Sequence, residues 1–233
     1  MTAVPQLSSR QARSNDSVRW VGPAGGYPPP PEHRRFPVAS EALETSGTKP
    51  RVWAVSAHGG AGATALVSQV PFLGDAGQIF PSGEVDGESD LIIICAAETV
   101  TGLSAAHDLV LQHRNELAGN TELLAVVTRP AQPGWTGKRT PKVIAERLAV
   151  LGDENLPGEV IRVEWNEQLA LTTPERRETV QPQDIAEWLA MDDKSQARAR
   201  RVKNSPAALG ILPAAADILD LAREASRASH SGA

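Results

Sequence analysis

The chain has 233 residues, a formal net charge of −5 and 41% hydrophobic content, enough for one moderate domain plus extensions. Aromatic residues make up only 4%, so large core anchors are few, and the slight acidity argues against general nucleic-acid affinity. One cysteine, Cys95, excludes an internal disulfide framework, and no apolar run approaches the roughly 20 residues needed to cross a bilayer. Met1–Gln6 lacks a basic region followed by an apolar run, so a cytoplasmic chain is expected.

Residues 1–49 read as a disordered arm. Pro28, Pro29, Pro30 and Pro31 follow Gly25-Gly26-Tyr27, and Ser, Arg and Gln fill much of the rest. Such a stretch buries too little apolar surface to offset chain entropy. The proline run favours polyproline II and reads either as a solvated linker or as a docking ligand, with Trp20 and Phe36 as sticky points.

The folded part is expected from Arg51. The run Arg51-Val52-Trp53-Ala54-Val55-Ser56-Ala57 reads as a buried strand, and His58-Gly59-Gly60-Ala61-Gly62-Ala63-Thr64 as a glycine turn opening a helix at 62–70. Glycines allow backbone N–H groups to converge on an anion at a helix N-terminus. A working phosphate loop ends Gly-Lys-Ser/Thr, whereas this one ends Gly62-Ala63-Thr64. The loss of a charge-assisted contact worth about 1.5–3 kcal/mol is implied. The candidate phosphate cradle is Gly59, Gly60, Gly62, Ala63 and Thr64, with His58 as a further candidate cation or as a ring that packs at the turn. Gly60-Ala61-Gly62-Ala63-Thr64-Ala65 also satisfies the dinucleotide pattern, which needs a second strand ending in an acid about 20 residues on.

These residues resemble the deviant Walker A loop of ParA/MinD-type ATPases, Lys-Gly-Gly-x-Gly-Lys-Thr, with all three glycines and the threonine kept and both lysines replaced. By position, His58 stands for the lysine that reaches across a nucleotide-sandwiched dimer and Ala63 for the one that binds phosphate within its subunit. Thr64 keeps the magnesium hydroxyl. The loop is also similar to that of an uncharacterised group from high-GC bacteria carrying His-Gly-Gly-Ala-Gly-Ala-Thr, often found with mobile elements. The resemblance implies ATP or ADP with Mg as cofactor, a homodimer or other protein partner, and impaired catalysis.

The interval to Asp90 carries Pro71, Gly74, Gly77, Pro81, Gly83 and Gly87, which break regular elements. No strand is expected there. Asp75 and Asp86 are the local candidates for a magnesium-binding carboxylate, and neither follows an apolar run. Beyond it, strands are expected at 91–96, 122–128 and 159–165, and helices at 102–118, 141–152 and 182–191. The segments Asp90–Cys95, Glu98–Leu103, Leu123–Val127 and Val160–Ala170 resemble the ParA/MinD series in order and spacing. Strand–helix alternation gives a three-layer α/β fold with a mostly parallel sheet and a truncated P-loop NTPase-like core over 50–191. Cys95 reads as a buried structural thiol, and Glu98 as a helix cap or as a ligand group at the strand's carboxyl end.

The last stretch, 192–233, combines a basic run at 194–203 with an alanine-rich helix begun near Pro213. In that helix Ile218, Leu221, Ala222 and Ala225 share a face and should pack on the domain or a partner. The basic run reads as a solvated face or as a phosphate-contacting patch. Three functions stand at this point. The leading one is a catalytically impaired P-loop protein acting as adaptor or regulator, linked by resemblance to a plasmid, mobile element or secretion system. The others are an active partition-type ATPase and a nucleic-acid-binding regulator.

Overall fold

The computed structural model describes residues 27–45, 48–165, 171–173, 176–202 and 210–231, with side chains to 228. Trp20, Asn166–Ala170 and Lys203, read above from the sequence, lie outside the described residues. Five strands, β1 (Val52–Ser56), β2 (Leu73–Gly77), β3 (Leu91–Glu98), β4 (Glu122–Pro130) and β5 (Glu159–Arg162), form one sheet in the order β2-β1-β3-β4-β5. Every pairing is parallel. The helices are α1 (Ala63–Val67), α2 (Val100–Arg114), α3 (Lys142–Leu151), α4 (Pro182–Ala190), α5 (Asp193–Ala199) and α6 (Ile211–Ser231).

Side-chain alternation along β1 and β3 builds the three layers. Val52, Ala54, Ile93 and Cys95 face α1, α4 and α6; Trp53, Val55, Ile92 and Ile94 face α2 and α3. Continuous apolar strands are the consequence of cover on both faces. The alanine-rich α6 belongs to the first layer: Ala214, Ala215, Ile218, Ala222 and Ala225 are buried in the same cluster as Ile93 and Val127. Small side chains let this helix lie close to the sheet. On α2, Leu103, Ala106, Leu109 and Val110 form the buried face, and Thr99 caps the start by accepting from the Gly102 N–H at 2.9 Å.

Two expectations change. The broken interval does contain a strand, β2, at the sheet edge. Gly74 is there for packing: a Cβ at this position would lie 2.7 Å from both the Trp53 ring and Pro50. A glycine that reads as a breaker is therefore the site of a close approach within an edge strand.

The N-terminal stretch also lies against the domain from Tyr27 onward. Tyr27, Phe36 and Leu43 pack on the α2/α3-side core. The buried Gln112 side chain accepts from the Phe36 N–H at 2.9 Å and donates to the Phe36 carbonyl at 2.8 Å. Val38 and Phe80 form a parallel bridge. The solvated-arm reading fails over 27–45 because a buried amide and three apolar side chains supply the anchoring that composition alone hides.

His113 and His107, both on α2, have pKa values lowered from 6.5 chiefly by burial. The unfolded chain then binds more protons than the folded one as pH falls through 6.5, so this part of the stability declines on acidification. The urea midpoint should fall between pH 7.5 and 5.5. His113→Gln should flatten that slope; an unchanged slope would remove His113 from the account.

Candidate functional site

In a doubly wound sheet, ligands bind outside the carboxyl ends of the strands where the winding reverses. With the order 2-1-3-4-5 that point lies between β1 and β3. The glycine loop follows β1 there, Glu98 ends β3 and Thr99 follows it.

The loop takes its shape from two left-handed glycines, Gly60 at φ 79° and Gly62 at φ 99°. Gly59 is exposed without that requirement. Ala57 is tied to β3 through its N–H to the Cys95 carbonyl at 2.9 Å. The His58 ring bridges the two elements. Its Nε2 accepts the Ala97 N–H at 3.1 Å, and its Nδ1 lies 2.8 Å from the Gly59 carbonyl. The tautomer with its hydrogen on Nδ1 satisfies both contacts. Gly102 makes room for it, because a Cβ there would lie 2.6 Å from Nε2. His58 thus packs and hydrogen-bonds at the turn.

Ala63 opens α1, and its methyl group is buried in the core at 1% exposure. Thr64 is exposed, and its hydroxyl donates to Asp75 Oδ2 at 2.6 Å. Asp75 Oδ1 accepts the Gly77 N–H at 2.9 Å. The acid for which the sequence offered no strand therefore sits in the middle of β2, against the loop hydroxyl. Asp86 is exposed in the following turn, outside any strand. Among the described residues no group of three or more His, Cys, Asp or Glu side chains could hold a metal.

The parity of β4 delivers two further residues that sequence reading missed. Thr128 pairs with Ala96 and faces the α2/α3 side; Arg129 pairs with Ala97 and faces the opposite side, where the loop lies. Arg129 Nη2 donates to the Gly60 carbonyl at 2.7 Å. A Cβ built on Gly62 would meet Arg129 Nε at 2.9 Å and Cδ at 3.1 Å. The guanidinium group therefore lies directly on the open face of the second left-handed glycine.

On the other side, Glu98 is fully buried and paired with Arg162 from the end of β5. Arg162 Nε donates to Oε1 at 2.6 Å and Nη2 to Oε2 at 2.5 Å, a bidentate pair. Thr128 Oγ1 adds a bond to Oε1 at 3.2 Å, and Arg162 Nη2 also donates to the Trp135 carbonyl. Glu98 is not the cap of α2; Thr99 takes that place, and Glu98 fastens β3 to β5 and to the loop after β4. Cys95 is buried below this edge. Loss of hydration, and secondarily the Asp75 charge, push its thiol up to about 12, which leaves it inert as a nucleophile.

The basic run is exposed where it is described, at Lys194, Arg198, Arg200 and Arg201, with the Arg200 guanidinium 5.4 Å from the Trp188 ring centroid. No helix among the described residues is long and apolar enough to cross a membrane. No protein-family model matches the chain, and no curated protein matches it. The class established by the structure is a three-layer α/β protein with a five-stranded parallel sheet, consistent with a P-loop NTPase-like core.

Proposed function

We propose that this chain is a catalytically impaired P-loop protein, similar to the ParA/MinD type, that acts in the cytoplasm as an adaptor or regulator of a protein partner. A plasmid, mobile element or secretion system is the setting its resemblance suggests. The observation that carries the reading is the state of the loop. The two left-handed glycines remain, Ala63 is a core methyl where a phosphate-binding lysine would stand, and Arg129 covers Gly62.

An ATP–Mg complex would use Gly60, Gly62 and the backbone of Ala63 and Thr64 for phosphate. The Thr64 hydroxyl, beside Asp75, would serve the metal. The residues fit the cradle and the metal pair but not the phosphate cation. His58 is held by Ala97 and Gly59, and Arg129 by Gly60. Taking up phosphate therefore costs existing contacts, which weighs against turnover.

The purified protein with Mg should release phosphate from ATP no faster than buffer. Robust release that disappears in Thr64→Ala would reject this reading. It would favour the active partition-type ATPase, for which the Thr64–Asp75 pair is the supporting observation.

A further inference from the structure

A groove of about 530 Å3 lies at the amino ends of the strands, where α6 passes the beginnings of β1 and β3. Its floor is apolar, with Leu91, Leu219 and Ala222. Three guanidinium groups rim it: Arg51, one residue before β1, and Arg223 and Arg227, one helical turn apart on α6. All three residues are exposed. Among the described residues none of these side chains has an ion-pair or hydrogen-bond partner, whereas Arg34, Arg129 and Arg162 all do. Asp90 is the one acid lining the groove.

Three exposed arginines thus line one groove with an apolar floor in a chain whose net charge is −5. Arginine joins flat apolar contact to forked recognition of carboxylates, which suits it to interfaces. We infer that this groove docks a short acidic segment of a partner protein, with carboxylates on Arg51, Arg223 and Arg227 and an apolar side chain on the Leu91–Leu219 floor.

A long polyanion fits less well. Asp90, exposed in the turn leading into β3, lines the groove, so a nucleic-acid backbone lying in it meets like charge. The inference is independent of the glycine loop at the carboxyl ends of the strands and stands whether or not that loop binds nucleotide.

The test uses the full chain and a fluorescein-labelled peptide Glu-Leu-Glu-Asp-Leu-Glu, read by fluorescence anisotropy. Binding should weaken as salt rises and become at least about tenfold weaker in the double variant Arg223→Glu, Arg227→Glu. A control peptide with Ser in place of Leu should bind less well. Both substitutions are at exposed positions, and an unchanged melting temperature would show that the fold is kept. The proposal is overturned if the peptide fails to bind at millimolar concentration or binds the double variant equally. It is also overturned if labelled single-stranded or duplex DNA binds tighter through the same arginines, or if sedimentation shows a dimer that the double variant dissolves. In those cases nucleic acid or a second copy is the occupant.

Discussion

Arg162→Met should destabilise the protein by about 3–5 kcal/mol, because it leaves the carboxylate of Glu98 buried without its cation. Glu98 has no exposed surface, and its remaining side-chain partner is the Thr128 hydroxyl at 3.2 Å. The pair itself need not contribute much net stability, since the desolvation of both charges offsets their attraction. The expected signature is therefore asymmetric. Arg162→Met alone should be severe. Arg162→Met with Glu98→Gln should recover most of the loss, because an uncharged amide no longer strands a charge. Urea unfolding of the four proteins in this cycle checks it. Equal loss in the single and double variants would mean that Arg162 acts through the Trp135 carbonyl and the loop after β4, and not through Glu98.

Gly62→Ala should cost clearly more than the ~1 kcal/mol usual for a glycine–alanine exchange. Two effects add. The residue holds φ 99°, a region that L side chains rarely adopt. The new methyl would also sit 2.9 Å from Arg129 Nε. A cycle with Arg129→Ala separates them. The steric part should vanish in the double variant while the backbone part remains, so the second substitution should relieve some of the cost and not all of it. If Arg129→Ala relieves nothing, the side chain yields freely and does not cover the loop firmly. If Gly62→Ala is neutral, the left-handed geometry is not required at all.

What the sequence made legible follows from what is local. The loop, the apolar strands β1, β3 and β4, the packing of the final helix and the thiol's burial are all carried by neighbouring residues. What stayed hidden depends on pairing across distance. Gly74, Asp75 and Gly77 carry weak strand preference, and β2 exists because β1 lends it a ladder and Trp53 needs the space over Gly74. In Leu123-Leu124-Ala125-Val126-Val127-Thr128-Arg129 the apolar run masks the period of two. The side to which Arg129 points, and its reach to a residue 69 positions earlier, cannot be read from composition. The same holds for Glu98, whose partner lies 64 positions on. Arm residues 27–45 misled because a proline run looks solvated until Gln112 is seen holding Phe36.

The central claim is that the glycine loop now serves as a structural turn, with His58, Thr64 and Arg129 engaged by the protein itself. Thermal unfolding of the wild type with and without millimolar ATP or ADP and Mg tests it most directly. A ligand that binds only the folded state raises the melting temperature by an amount that grows with the logarithm of its concentration relative to Kd. No rise is expected. A rise of several degrees that disappears in Thr64→Ala would contradict it and make the protein a nucleotide sensor without turnover.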